Sequence, residues 1–365
     1  MALILTFLGK GGSGRTTAAI ATAKKLASLG SPVLLVGQDP GPAFGLLLGS
    51  SPSTTPQAIA ANLNVVQLQA TVLLERSWEE LKEIESQYLR SPTLKNVYGQ
   101  ELGILPGMDS TLALNALREY DKIGQYDVII YDGPGSLATL RMLGIPEIMS
   151  WYARRFRQVV GDSDLGRAVS PFIQPIASAI LNVSLIGESF AQEPANQATQ
   201  ILEEGKAALA DPGRVIAYLV TTGDPVAIAT AKYLWGNAQQ VGLTVGGVLL
   251  NQVPATDALT AEFSPLSLTV LPSHPPGDWQ PLIDALPDFR QTPQAPKPIA
   301  IDIAARQVQV FLPGFDKKQV KLTQYGPEIT IDAGDQRRNI ILPPPLSGQP
   351  VKGAKFHEGY LIISL

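Results

Sequence analysis

The chain opens on an almost unbroken apolar run, Leu3-Ile4-Leu5-Thr6-Phe7-Leu8, closed by the glycine-rich stretch Gly9-Lys10-Gly11-Gly12-Ser13-Gly14-Arg15-Thr16-Thr17. A short apolar run stopped by glycines predicts a strand buried on both faces, and the pattern from Ala18 to Leu29 predicts a helix after it. Similar runs recur. Pro32 to Val36 stops at Gly37-Gln38-Asp39-Pro40, and Tyr126 to Asp132 stops at Gly133-Pro134-Gly135-Ser136. Val215 to Val220 follows, then Leu243 to Leu250 ending at Asn251-Gln252. Ser77 to Leu89 and Leu112 to Tyr120 carry helical spacing. Buried strands alternating with helices predict an α/β fold, a doubly wound and mostly parallel sheet. Such sheets bind ligands at the carboxyl ends of their strands, where Asp39, Asp132 and Asn251 fall.

The pattern changes after Pro293-Gln294-Ala295-Pro296-Lys297-Pro298, a linker by composition. Beyond it the period is two. Ile299 to Ile303, Gln307 to Val310, Val320 to Leu322, Ile329 to Ile331, Asn339 to Leu342 and Tyr360 to Ile363 read as short strands between Gly/Pro turns. They predict a small all-β sandwich with no catalytic residue of its own. The expected organisation is residues 1–292 as one domain, 293–298 as linker and 299–365 as sandwich. Within the first domain a helical, apolar insertion is expected at about 145–210. There, Ala168 to Gly187 carries no charge, but Ser170, Gln174, Ser178 and Asn182 recur every four residues opposite Phe172, Ile173, Ile176 and Ile180. That stripe, with Pro171 and Pro175, predicts an amphipathic helix rather than a membrane span.

Composition narrows the function. The 365 residues are 45% hydrophobic and only 16% charged, with 30 Pro and 33 Gly, which predicts apolar surface for a partner to cover. A net charge of −4 argues against a broad nucleic-acid footprint. Without cysteine there is no disulfide, thiolate metal site or iron–sulfur cluster, and His274 and His357 stand apart from any ligand cluster. The opening apolar run is too short for a signal peptide and lacks a basic flank, so a cytoplasmic location is expected.

The chemistry lies in the first loop. Gly9, Gly14 and Thr16 satisfy the phosphate-loop pattern GxxxxGK[ST], with Arg15 in the lysine position and a second cation, Lys10, directly after the first glycine. Gly9, Gly11, Gly12 and Gly14 let the backbone wrap a polyphosphate, and the N-terminus of the next helix adds a favourable dipole. Thr16 is placed to give its hydroxyl to Mg²⁺. Asp132, at a strand end, is the expected acid that orients the metal and its waters. Arg15 keeps the charge of a lysine, but its guanidinium is longer, planar and forked.

The stretch Gly9 to Thr17, with its early lysine, resembles the deviant phosphate loop of the ArsA/GET-type ATPases. Asp39-Pro40 is similar to the family's "DPAH", Pro106-Gly107-Met108-Asp109 to its "PGxDE", and Asp132 with Thr139-Leu140-Arg141 to its "DTAPTGHTLR". Asn251-Gln252 is similar to its "NQ". The tail, with Phe311-Leu312-Pro313-Gly314-Phe315 and Gly359 to Ile363, resembles the α-crystallin domain of small heat-shock proteins. An ATPase joined to such a tail resembles the cyanobacterial and chloroplast GET-ATPase homologues. The resemblance implies a homodimer that binds ATP and Mg²⁺ and shapes an apolar groove for a hydrophobic protein segment or helix. It implies that Lys10 reaches the partner's nucleotide and Asp39 orients the attacking water. It further implies that Gly9 to Thr17 bind phosphate and metal, that Asp132 sits behind the metal, and that Asn251 binds adenine.

Three departures keep alternatives open. Arg15 replaces the loop lysine, Asp39-Pro40 runs into Gly41-Pro42-Ala43, and Asp132 runs into Gly133-Pro134-Gly135-Ser136. A nucleotide-binding switch or scaffold with little hydrolysis is therefore an alternative to a slow ATPase. A positioning ATPase of the ParA/MinD kind ranks last, because neither charge nor a basic amphipathic end supplies a DNA or membrane patch.

Overall fold

The computed structural model describes residues 1–88, 96–161, 192–291 and 295–365. Its larger part is an eight-stranded sheet. The strands are β1 (Leu3–Leu8), β2 (Val33–Gly37), β3 (Gln57–Ala60), β4 (Leu63–Gln67), β5 (Val128–Asp132), β6 (Val215–Thr221), β7 (Thr244–Asn251) and β8 (Leu268–Leu271). Their order is β3-β4-β2-β5-β1-β6-β7-β8, all parallel except the edge strand β3. β1 therefore lies between β5 and β6, with Leu3 beside Val128 and Ile4 beside Val215.

Alternation along each strand feeds two apolar layers. On β2, Val33 and Leu35 face the layer under α1 (Arg15–Ser28), α2 (Ala43–Leu48) and α9 (Gln280–Ala285). Leu34 and Val36 face the layer under α4 (Met108–Ile123), α5 (Ser136–Gly161), α6 (Gln192–Ala210), α7 (Pro225–Val241) and α8 (Asp257–Phe263). The remaining helix, α3 (Ala70–Tyr88), packs on α4. This is the doubly wound, mostly parallel α/β architecture that the apolar runs predict.

The tail forms two antiparallel sheets. One is β14 (Gly353–His357), β15 (Tyr360–Ser364), β10 (Gln307–Phe311) and β9 (Ile299–Asp302), in that order. The other is β11 (Val320–Tyr325), β12 (Glu328–Ala333) and β13 (Gln336–Ile341). Alternate residues, among them Val308, Val310, Ile329, Ile331 and Ile363, share one buried core. The sandwich lies on α7. Trp235 meets Phe311 edge-on at 5.4 Å, Arg338 Nη1 donates to the Gln239 carbonyl at 2.8 Å, and Arg141 of α5 pairs with Asp335. A Cβ on Gly236 would stand 2.4 Å from the Pro313 carbonyl oxygen, so glycine sets the closeness of this contact.

Several details differ from the sequence reading. α1 begins at Arg15 rather than Ala18, because the first turn of a helix needs no apolar stripe. Strands β3, β4, β8 and β14 escaped it: β4 has polar Asn64 and Gln67 within its five residues, and β14 exposes most of its positions. The amphipathic segment at 168–187 lies outside the described residues, as does part of the linker. Of the expected insertion, α5 (interrupted by Pro146) and α6 are described. Among the described residues no helix is long and apolar enough to cross a membrane.

Candidate functional site

β1 delivers the chain to the middle of the sheet, where Gly9 turns it away. A Cβ on Gly9 would lie 2.2 Å from the Val220 carbonyl oxygen of β6 and 2.6 Å from Ser13 Oγ. Glycine is the residue this crossing admits. Gly12 and Gly14 have φ of 80° and 100°, the left-handed region. Gly14 caps α1, and a Cβ there would meet Asn251 Nδ2 at 2.5 Å. Nothing lies within 4 Å of the corresponding position on Gly11. Packing within the chain therefore does not require glycine there.

The loop is held from outside by side chains of remote elements. The Gly9 N–H donates to Ser136 Oγ at 2.9 Å, and that hydroxyl donates back to the Gly9 carbonyl at 2.9 Å. Asn251 Nδ2, at the end of β7, donates to the Ser13 carbonyl at 3.0 Å. Within the loop, Ser13 N–H bonds the Lys10 carbonyl at 3.1 Å. By contrast, the N–H groups of Gly11, Gly12, Gly14, Arg15, Thr16 and Thr17 find no acceptor among the described residues. Ser13 Oγ is buried and likewise without a partner. Free donors in a left-handed turn at a helix N-terminus form an anion cradle.

Asp132 stands at the end of β5 with 6% of its surface exposed. Burial pushes its carboxyl above the ordinary aspartate range. A hydrogen bond from Thr16 and the charge of Arg15 pull the other way, and Asp39 adds to the rise. Arg15 Nη1 lies 3.4 Å from the Gly133 carbonyl, just past the end of β5. Thr17 follows on α1, half-buried. Asp39 is exposed just beyond β2. Its Oδ1 accepts the Gly41 N–H at 2.8 Å, and its carbonyl accepts Gln67 Nε2 at 2.6 Å.

Lys10 is half-exposed, and its Nζ lies 3.4 Å from Asp224 Oδ2 within the same chain. Asp224 is the N-cap of α7 and accepts the Ala227 N–H at 3.1 Å. The fold thus gathers the whole Gly9 to Thr17 stretch with Asp132, Asp39 and Asn251 at the carboxyl ends of β1, β5, β2 and β7. Asp224 had no place in the sequence reading, and Ser136 entered it only as the end of the stretch after Asp132. Asp224-Pro225 is a helix-start signature that could have marked the cap. Nothing in the spacing marks Ser136 as a partner of Gly9.

Similarity to known proteins agrees with this geometry. Residues 2–263 match the family model described as an anion-transporting ATPase, and residues 304–365 match an HSP20-like domain found in ArsA. The "Putative arsenical pump-driving ATPase" of Chlorobaculum tepidum is 27% identical over 255 residues, which cover 68% of this chain and 61% of that protein. This chain thus spans about three-fifths of the length of that relative. A similarly named protein of Aquifex aeolicus is 22% identical with 99% of both chains covered. "ATPase GET3" of Malassezia globosa is 23% identical over 67% of this chain and 71% of its own length. The first model spans well over half of the chain, including its glycine loop, its strand-end acid and Asn251. On that match the chain belongs to the anion-transporting ATPase family.

Proposed function

We propose that the chain binds ATP with Mg²⁺ at the Gly9 to Thr17 cradle and hydrolyses it slowly, as a homodimer that couples nucleotide state to a hydrophobic protein segment. The observation that carries the nucleotide reading is the set of unpaired N–H groups from Gly11 to Thr17, with the orphan Ser13 hydroxyl among them. Such groups fit phosphate oxygens, and glycine at 11 leaves room for them. Thr16, at the start of α1, is assigned to give its hydroxyl to the metal, with the buried Asp132 behind it in the metal's second shell. Mg²⁺, when bound, supplies charge neutralisation at the terminal phosphates. Asp39 is the exposed carboxylate beside this end of the sheet and is assigned to orient the attacking water. Asn251 is assigned to adenine, from the rim of the loop that it braces. Lys10 leaves Asp224 to reach phosphate on the partner subunit. The apolar groove is assigned to the region 145–191 of the insertion, the ATPase unit to residues 1–292 and the crystallin-like unit to 299–365, joined by 293–298.

A second reading, a switch that binds nucleotide without hydrolysing it, draws on the position of Arg15. Its guanidinium reaches the Gly133 carbonyl past the end of β5. Catalysis of phosphoryl transfer depends on placed charge, so a loop cation engaged there bears on rate more than on binding. The two readings separate by ATP affinity and phosphate release in the wild type, Arg15→Lys and Asp39→Asn. The ATPase reading expects Asp39→Asn to lose about a hundredfold in rate with affinity retained. A wild-type rate equal to that of Asp39→Asn establishes the switch instead.

A further inference from the structure

One face of the large sheet is covered unevenly. α4 leads into β5 and α6 leads into β6, the two strands that flank β1. Along that face of β1, Ala2, Thr6 and Leu8 are buried, yet Ile4 is only half-buried. Ile4 borders a cavity of about 420 Å³ at the amino ends of the strands. Ile4 and Val215 form its floor, and Leu114 of α4, Leu143 of α5, and Leu202 and Ala208 of α6 form its walls. α5 and α6 touch beside it, since a Cβ on Gly205 would meet Pro146 Cγ at 3.0 Å. At the foot of β1, Asp121 Oδ1 accepts the Ala2 N–H at 2.6 Å, and its Oδ2 accepts Arg214 Nη2 at 2.8 Å. The protein's own contacts thus hold the walls in place. An apolar cavity of about 150 Å³ takes up benzene, so this one has room for a longer run of carbons.

The polar rim is divided by charge. On the α4 side, Arg118 is half-buried and Lys122 is exposed, and neither has a carboxylate partner among the described residues. Arg118 Nε and Nη2 rest on Asn115 Oδ1 of the same helix, at 3.2 and 2.6 Å. On the α6 side, Glu204 and Asp211 are exposed and accept Gln200 Nε2 and the Gly213 N–H, each at 2.8 Å. A half-buried guanidinium resting on a neutral amide is the group on this rim that an anion satisfies best. We propose that the cavity binds a single-chain fatty acid, with its hydrocarbon between α4, α5 and α6 and its carboxylate on Arg118. The alkyl chain leaves water for the apolar walls, and the guanidinium fork matches a planar carboxylate. Glu204 and Asp211 repel the head group and turn it toward α4. The site lies at the opposite end of β1 from the Gly9 to Thr17 loop and does not rest on the nucleotide reading.

Isothermal titration of the full chain with hexanoate, octanoate and decanoate, and with decanol as the uncharged counterpart, tests the site. One molecule per chain is expected, with affinity rising about fourfold for each added methylene. Arg118→Gln is expected to weaken decanoate about tenfold and to leave decanol within about twofold. Ala208→Phe fills the cavity and is expected to weaken both by at least about tenfold, with a thermal melt by circular dichroism to show that the variant is folded. Leu114→Trp fills it from the α4 wall and makes the same test if Ala208→Phe does not fold. No saturable binding by the wild type, several molecules bound per chain, or undiminished binding in a folded, filled variant overturns the site. Equal losses of decanoate and decanol in Arg118→Gln overturn the carboxylate's place on Arg118.

Discussion

Asp132 is a carboxylate in a place that favours the neutral form. Burial is the main cause, and the nearby Asp39 adds to it. A carboxyl whose folded pKa is raised binds protons more tightly folded than unfolded. Its ionisation therefore subtracts stability as pH rises from the ordinary aspartate range through the folded value, and the loss is complete only above that folded value. Asp132→Asn is expected to melt higher than wild type at pH 7.5, each kcal/mol recovered being worth about 2–4 °C in a unit of this size. The advantage is expected to shrink below about pH 4, where both states hold the proton. Melting curves across that range check it, and a lower melting point at pH 7.5 refutes it. At this scale the sequence was most informative where one residue's own geometry decides. Gly9, Gly12 and Gly14 had to be glycine for reasons the structure repeats in distances and angles. It was silent on Ser136 and Asp224, since bonds between residues 127 and 214 positions apart depend on which strand lands beside which.

Among the elements, α7 shows how a helix serves two neighbours. Asp224 and Pro225 start it, and Gly242, at φ 88°, stops it. Its N-cap, Asp224, touches the phosphate loop through Lys10, and its last turns lie beneath the sandwich. Asp224 thus has two duties that substitution can divide. Asp224→Asn keeps the cap and discards the charge; Asp224→Ala discards both. Asp224→Ala is expected to lower the melting temperature by roughly 2–4 °C, as a lost cap does, with Asp224→Asn close to wild type. Both are expected to bind ATP more tightly, by a few-fold, because Lys10 is no longer engaged. Titration with a fluorescent ATP analogue checks this, and unchanged affinity in both variants refutes the second duty. The element pattern was legible wherever strands are buried on both faces, as in β1, β2 and β5. It failed at β3, at the sheet edge with exposed residues, where no hydrophobic run exists to be read.

The sandwich-to-α7 contact decides how the whole molecule behaves. It combines close packing at Gly236 with polar groups that remain unmatched. Asn237 Oδ1, both amide atoms of Gln239, Gln240 Oε1 and Gln336 Nε2 are buried without hydrogen-bond partners, and burial lowers the Arg338 pKa to about 10. Unmatched buried polar atoms cost stability, so this seam is weaker than its area suggests. Gly236→Leu is expected to part it, since even a Cβ collides with Pro313 and Phe315. Limited proteolysis is then expected to cut near residues 292–298 at least about tenfold faster than in the wild type, leaving two folded fragments. Equal cutting rates refute the weak seam. The sequence suggests a join at residues 293–298 and says nothing of the face on which the sandwich meets α7. That face depends on Gly236 and Arg338, which no periodicity distinguishes from other surface residues.

The central place of β1 also has a consequence for synthesis. The loop is made before Ser136, Val220 and Asn251, yet its shape depends on all three. A growing chain therefore carries the phosphate loop as an unformed ribbon until β6 and β7 have emerged. On the proposed reading of this loop, nucleotide is captured only after residue 251 has been made, and ATP binding then reports that the sheet has closed rather than helping to close it.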